Sequence, residues 1–537
     1  MKKYLRSGVA IIGLVILSIV ASRINQHSTS NSAYTAQSDQ LVAAQVATTS
    51  SSSQQHPDPE FGQYIDELID KSAFSSARWG IKVVSLNNGA TIYERNARQQ
   101  FIPASNMKIY TTAAALDLLG ADYRWRTTAY VSAKPNAAGI VEGDLILYGR
   151  GAPDLVDDGT ENSFEKLADA VQAQGVRHVK GRVIGDESYF RGSPLGDGWQ
   201  WNDMQWYFGA EASALTINEN QVDLNLLPSA KADATPEVRT GDPLGYVQVS
   251  NRMAPGNRAE RSTLGVSRGL SDNGVEVWGE LAPGAKGFGA KLSVHNPALW
   301  AAKIFQAALK KRNIAVDGEA ASRSSRSAPG ERFDPSQATE IASVTSAPLS
   351  ALVRVTNKQS NNLYAELILR TLGRERRSML PTSEPPGRER GDDEAGTDLI
   401  QLWLERNGVA GNATSLHDGS GLSRLNLVTP DSTVQLLTAA SKSANQSFQQ
   451  SLPIAGKDGT LAGRLKPITG RAFAKTGSLI YVNSLSGYVL TANGGTFAFS
   501  IYCNDYVGQA NSSRLIDEIV ELLAGYPNLP SNLKKSK

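Results

Sequence analysis

Cysteine is nearly absent from this chain: of 537 residues only Cys503 carries a thiol, which excludes an internal disulfide and a cysteine-built metal centre. Histidine is scarce too, and His27, His56, His178, His295 and His417 are too scattered to suggest a metal cluster. There is no excess of charge of one sign. The 54 basic and 52 acidic side chains leave a net charge of +2, so no basic surface of the kind that non-specific nucleic-acid binding needs is on offer. Neither a metal nor an organic cofactor is implied.

What is present begins with the N-terminus. Lys2, Lys3 and Arg6 precede an uncharged apolar run from Gly8 to Ala21, followed by Ser22. A positive flank, a short apolar stretch and small residues read as an export signal over 1–22. The run is about 14 residues, shorter than the roughly 20 that a spanning helix needs, so cleavage after Ala21 or Ser22 is expected; left uncleaved, this segment is the membrane attachment. No cysteine follows it, which excludes a lipoprotein signal. Residues 23–58 are rich in Ser, Thr, Gln and Ala and poor in large apolar groups, so they read as a disordered linker. The expected compartment is the periplasm or cell wall.

The remaining length exceeds one core, and its texture changes along the way. Phe61, Ile65, Leu68 and Ile69 fall at helical spacing, and the runs 81–84 and 91–93 flank Asn88-Gly89 as a hairpin. After the extended Phe101-Ile102-Pro103, an Ala- and Leu-rich stretch from Ala104 to Leu119 predicts a helix ended by Gly120. From about 123 to 290, short alternating runs recur between Gly, Pro, Asn and Asp clusters, predicting a mainly β insertion. Helices return over 299–311, 348–357, 363–372 and 397–406; a hairpin around Asn493-Gly494-Gly495 and a helix from Asn511 to Leu523 close the chain. The fold class is α+β. One domain is formed by residues 59–130 and 291–527, interrupted by inserted β-rich domains over 131–290, and residues 374–396, with alternating charges around three prolines, read as a mobile charged loop.

Three short patterns carry chemistry. Ser105-Asn106-Met107-Lys108 opens the Ala-rich helix, so a hydroxyl and an amine three residues apart share one face. A serine is a poor nucleophile until a base takes its proton, and a lysine is that base only once burial or a second cation brings its pKa down from about 10.4. Ser360-Asn361-Asn362 falls between two helical segments, where a turn aims a hydroxyl and an amide into a cleft. Lys475-Thr476-Gly477-Ser478 stands just before the last hairpin, where a glycine lets substrate approach a strand edge. Each pattern is weak singly, since Ser531-Asn532-Leu533-Lys534, Ser271-Asp272-Asn273 and Ser443-Ala444-Asn445 match the first two by chance.

In this order the three resemble the signatures of penicillin-recognising serine enzymes. That resemblance implies a transpeptidase-like domain, an antiparallel sheet flanked by helices. The stretch from Ser105 to Ser360 is far longer than one helical lobe requires. This is similar to the D-alanyl-D-alanine carboxypeptidase/endopeptidase family called penicillin-binding protein 4 or DacB, peptidase family S13, which carries inserted domains between the first two motifs. Gly143-Asp144-Leu145-Ile146-Leu147, Gly151-Ala152-Pro153-Asp154-Leu155, Gly198-Trp199-Gln200-Trp201-Asn202-Asp203 and Asp418-Gly419-Ser420-Gly421-Leu422-Ser423-Arg424 resemble further stretches of that family, over about residues 60 to 525.

The resemblance implies that Ser105 is acylated, Lys108 accepts its proton, Ser360 relays a proton to the leaving D-alanine and Asn362 holds the substrate backbone. Lys475 is expected to keep Lys108 deprotonated, Thr476 to contact the terminal carboxylate, and the amides of Ser105 and Ser478 to form the oxyanion hole. Arg424 and Asp186 are expected to contact the stem peptide's diamino acid. Peptidoglycan peptides ending in D-Ala-D-Ala are the implied substrate and β-lactam antibiotics the covalent inhibitors; whether two copies pair is left open. A serine β-lactamase and a non-catalytic wall-binding protein are the rivals. The first needs a deacylating glutamate between the second and third motifs, for which Glu366, Glu375, Glu384, Glu389 and Glu394 give no convincing match; the second predicts loss of Ser105, Lys108 or Lys475, all present. His417, with no Gly-x-Ser-x-Gly linked to it, reads as a turn or surface residue.

Overall fold

The computed structural model describes residues 59–528, apart from 157–161, 232, 257–262, 329–332, 383–387, 444–445 and 509–510. The expected export signal (1–22) and linker (23–58) lie outside the described residues. Helix α1 (Pro59–Asp70) buries Phe61, Ile65 and Ile69, the expected stripe. Strands β1 (Arg78–Ser85) and β2 (Thr91–Arg95) pair across the Asn88-Gly89 turn, where Gly89 takes φ 75. Helix α2 (Met107–Leu118) is buried at every position from Met107 to Leu116, so it is a central helix that meets solvent only in its last turn, at Asp117.

The chain then leaves the first domain through β3 (Arg126–Val131), β4 (Leu145–Tyr148), α3 (Ser163–Ala173), β5 (Val183–Asp186), β6 (Gln221–Leu227), β7 (Phe288–Ser293), α4 (Pro297–Lys311), β8 (Ala321–Arg323) and β9 (Thr339–Thr345). It returns through α5 (Leu349–Gln359), α6 (Asn362–Arg376), α7 (Asp392–Arg406) and α8 (Pro430–Ser441), then β10 (Ala472–Leu479), β11 (Val482–Leu490), β12 (Thr496–Asn504) and α9 (Ser513–Gly525).

The main sheet is five-stranded and antiparallel, in the order β10-β11-β12-β1-β2. Its N-terminal and C-terminal hairpins are joined by β1 and β12, paired from Arg78↔Asn504 to Ser85↔Phe497. Alternation sorts β12 onto two faces. Phe497, Phe499, Ile501 and Cys503 pack with α1 and α9, while Ala498 and Tyr502 join the core around α2. The cysteine is therefore a buried strand residue, its thiol pushed up to about 11 by burial. On the α2 side, the Tyr110 and Tyr502 hydroxyls meet at Thr433 Oγ1 of α8, each 2.7 Å away.

The inserted region shifts two expectations. A second five-stranded sheet runs β8-β5-β4-β3-β9, with β3 and β9 antiparallel and α4 packed on β5. Divisions at 130/131 and 290/291 therefore cut through this sheet, whose first strand precedes one and whose last two follow the other. Gly185 shows how closely α4 lies, since a Cβ there would meet Ala298 O at 2.0 Å. The charged segment 374–396 is also more ordered at its ends than expected: α6 runs to Arg376 and α7 starts at Asp392. Several of its charges are partnered within the segment. Asp392 is fully buried, accepts from Arg191 N at 2.8 Å and lies 3.4 Å from Arg377, while Glu394 accepts from Gly391 N and from Arg388.

Candidate active site

The Ser105 turn is built under strain and tied down. Ala104 takes a left-handed φ of 48, a conformation that costs a non-glycine residue about 1 kcal/mol or more and persists where neighbours over-determine it. Here the anchors come from the main sheet. Asn106 Nδ2 donates to Lys475 O (3.1 Å) and Ser484 Oγ (2.7 Å), and Ser484 Oγ donates to Pro103 O (2.8 Å). A single 3-10 turn, Ala104–Asn106, then leads into α2 and places Lys108 one turn beyond Ser105.

Lys108 is fully buried, with Nζ 3.1 Å from Ser105 Oγ, 2.6 Å from Asn362 Oδ1 and 2.7 Å from Ser420 O. The amide oxygen and the carbonyl can only accept, so they take two amine protons. In the neutral amine the lone pair is then left for the serine hydroxyl, the arrangement a general base requires. Burial pushes the Lys108 amine down to about 7, against the carboxylates of Asp418 and Glu366, which favour its charged form.

Ser360 ends α5 in a left-handed conformation (φ 60), and Asn361 caps α6 by accepting from Tyr364 N. This reversal puts Ser360 Oγ 2.9 Å from Lys475 Nζ. Lys475 is itself fully buried and also donates to Thr476 O, and its amine is held well below the usual lysine range by burial first and Lys108 second. Asn362 spends its amide on the protein: Oδ1 receives Lys108 and Nδ2 donates to Phe208 O at 2.9 Å. Thr476 Oγ1 donates to Thr460 Oγ1 (2.8 Å), and Ser478 Oγ to Asn483 Oδ1 (2.9 Å). Gly477 has a tighter role than substrate approach alone. A Cβ there would lie 2.7 Å from Pro103 O and 3.0 Å from Ser105 N, so the strand can pass the Ser105 turn only as glycine.

These groups open onto a cleft of about 1070 Å³ lined by Ser105, Ser360, Asn362, Ser478 and Arg424 from the main domain, and by Asp203, Phe208, Glu219 and Lys291 from the insertion. Asp186 is not among them. It ends β5 fully buried, accepts from Ser188 N at 2.9 Å and lies 3.5 Å from Arg323, so it braces the inserted sheet. Asp203, from the tryptophan-rich stretch, is the carboxylate that shares the cleft with Arg424; burial raises it and Arg424 lowers it. Arg424 also donates to Ile480 O at 2.7 Å.

The sequence reading missed Glu366, Asp418, Ser420, Thr460 and Glu219 as parts of the site. Glu366 is fully buried on α6; its Oε1 accepts from Gly419 N and Ser420 N, and burial raises its carboxyl to about 7. Through those amides it holds the loop whose Ser420 carbonyl receives Lys108. Asp418, also buried, folds the same loop by accepting from Gly421 N, Ser423 N, Asn426 Nδ2 and Trp199 Nε1. The signal available was the Asp-Gly-Ser-Gly loop itself, whose aspartate and glycines promised a tight turn. Among the described residues no group of His, Cys, Asp or Glu is arranged to hold a metal ion, and no helix is long and apolar enough to cross a membrane.

Glu366→Gln keeps an acceptor for the loop amides and removes a charge that favours protonated Lys108. The acidic limb of kcat/KM against pH, where the base becomes protonated, is expected to move to lower pH. An unmoved limb would detach Glu366 from the Lys108 ionisation.

An antiparallel sheet beside a helical lobe, with a serine–lysine pair on the central helix, defines the penicillin-recognising class of serine enzymes. A sequence model of the D-Ala-D-Ala carboxypeptidase 3 (S13) family matches residues 62–526, and the chain belongs to that family. It is 34% identical over 481 residues to a D-alanyl-D-alanine carboxypeptidase of Actinomadura sp. strain R39, covering 87% of this chain and 85% of that protein. It is 28% identical over 440 residues to the D-alanyl-D-alanine carboxypeptidase DacB of Haemophilus influenzae, covering 80% of this chain and 85% of that protein. The crystal structure of penicillin-binding protein 4 (dacB) from Haemophilus influenzae superposes with a TM-score of 0.73 at 26% identity, over 86% of this chain and 99% of that one. A second structure of that protein, complexed with a β-lactam, superposes with a TM-score of 0.68 at 25% identity, over 85% and 98%.

Proposed function

We propose that this chain is an exported serine-type D-alanyl-D-alanine carboxypeptidase that acts on peptidoglycan stem peptides through an acyl-enzyme on Ser105. The observation that carries it is the Lys108 amine, buried and 3.1 Å from Ser105 Oγ, with Asn362 Oδ1 and Ser420 O occupying its other directions. Lys108 takes the Ser105 proton as Oγ attacks the penultimate D-alanine carbonyl. The charge on the carbonyl oxygen is met by the amides of Ser105 and Ser478, each donor being worth about 3 kcal/mol in the transition state. The C–N bond breaks, and the departing D-alanine amine takes a proton relayed through Ser360. Water, deprotonated by the same lysine, then hydrolyses the ester and returns Ser105. Thr476, Thr460 and Lys475 receive the terminal carboxylate, and Asp203 with Arg424 faces the stem-peptide side chain.

β-Lactams enter the same chemistry as covalent inhibitors. Glu366 supports slow release of the drug, because it is buried against the loop amides and does not line the cleft. Glu219, which does line it, is engaged by Asn361 Nδ2 at 2.8 Å. The N-terminal signal read from the sequence supports a site of action outside the cytoplasm.

The test is D-alanine release from a linear pentapeptide muropeptide and a cross-linked dimer, with Ser105→Ala as control. Release by the unmodified enzyme alone supports the proposal, and the ratio between substrates separates carboxypeptidase from endopeptidase. No release from either substrate, with wall binding retained, would favour a non-catalytic wall-binding protein instead.

A further inference from the structure

Away from the catalytic cleft, a second cleft of about 530 Å³ lies between the inserted sheet and the α6–α7 region. Among the described residues, four arginines line it, Arg150, Arg191, Arg326 and Arg374, with Glu389 as the one carboxylate. Glu389 is committed to Arg191 at 2.6 Å. Among the described residues, Arg150, Arg326 and Arg374 have no carboxylate within ion-pair distance. In a chain whose net charge is only +2, this is a local concentration of positive charge rather than a reflection of overall composition.

The positive groups are held in place. Arg374 and Arg150 both stack on Tyr189, with guanidinium carbons 5.2 and 5.7 Å from the ring centroid. Tyr189 is itself fixed, since its hydroxyl donates to Glu375, which also receives Tyr123. Two like charges held at one immobilised ring repel each other, and an anion bound near them would relieve that cost. A second observation points the same way. A narrower cavity shares Arg191, Gly192, Ser325 and Arg326 with this cleft and is lined also by Glu187 and by Arg370, which is 1% exposed and whose Nε and Nη2 make no hydrogen bond, while Asp393 lies 3.5 Å from Nη2 and Glu366 shares its charge. A buried guanidinium with unused donors is a costly arrangement unless something accepts from it.

Tyr148, Tyr189 and Phe333 supply aromatic surface in the same wall, and the volume is in the range of small-ligand sites. We propose that this cleft binds an anionic saccharide, a carboxylate-bearing sugar segment, with the arginines taking the anionic group and the rings taking the apolar sugar face. It is a site separate from the peptide cleft.

Isothermal titration calorimetry of the full chain with trigalacturonate, maltotriose and inorganic phosphate tests it. Trigalacturonate is expected to bind, less tightly as salt rises, and maltotriose not to. R150A/R374A is expected to weaken binding roughly tenfold or more, the loss of two charge-assisted contacts. R326A, exposed at the rim, should weaken it too with an unchanged thermal midpoint, which separates lost contacts from lost folding. Trigalacturonate binding equally to both variants, or failing to bind the unmodified chain, would overturn the site. Binding of phosphate alone, or of maltotriose equally well, would overturn the anionic-saccharide assignment.

Discussion

Lys108→Met is expected to reduce kcat/KM for D-alanine release by roughly 10⁴-fold or more, because it removes the base while leaving the Ser105 hydroxyl in place. The fold is expected to survive. Methionine matches the length and flexibility of the lysine stem, and a fully buried amine, costly to desolvate, disappears. Against that gain, Asn362 Oδ1 and Ser420 O lose their donor, at about 1–3 kcal/mol for a buried acceptor left unpaired. The two terms oppose each other, so the thermal midpoint should move little while turnover collapses. Pre-steady-state acylation with a chromogenic β-lactam, read beside the thermal midpoint, checks both halves. Acylation at the normal rate would remove Lys108 from the role of base.

Gly477→Ala is expected to damage the site through sterics alone. Its Cβ would lie 2.3 Å from Ser484 Oγ, 2.7 Å from Pro103 O and 3.0 Å from Ser105 N. Ser484 is a short side chain already bonded to Pro103 O and Asn106, and the other two atoms are backbone of the strained Ser105 turn, so none gives way cheaply. Overpacking of this kind costs about 1–3 kcal/mol, and displacing a nucleophile by about an ångström costs roughly 100-fold in rate. Gly463→Ala, where a Cβ would meet nothing within 4 Å, is the silent control. If acylation and thermal midpoint are both unaltered in Gly477→Ala, then β10 does not fix the position of Ser105.

Much of this architecture was legible from local pattern. The two hairpins and the helices declared themselves through alternation, helical spacing and turn residues, because each needs only neighbours in sequence. The three motifs were legible for the same reason: Ser105 and Lys108 act from one helical turn, and Ser360 and Asn362 from one reversal. Asp186 was misplaced because a strand's neighbours in sequence do not say which faces are covered. Val183, Ile184, Gly185 and Asp186 are all buried, lying between β4 and β8 with α4 above them, so the alternation that would mark an outward carboxylate is absent. The insertion's limits were obscured by β3 pairing with β9 across two hundred residues, a register that no local signal carries. The charges of 374–396 read as solvated, yet Arg377 lies against the buried Asp392, and Glu394 caps α7 while holding Arg388. Glu366 looked like an ordinary helical residue until the fold brought Gly419 and Ser420 onto it.

The central claim is that Ser105 is the acylated residue, with Lys108 as its base. Its most direct test is mass spectrometry of the chain after brief exposure to benzylpenicillin, with the adduct mapped by proteolysis. The account predicts a single covalent adduct, on the peptide containing Ser105, lost in Ser105→Ala and formed far more slowly in Lys108→Met. An adduct on another serine, or none under conditions where the drug's ring is opened, would contradict it.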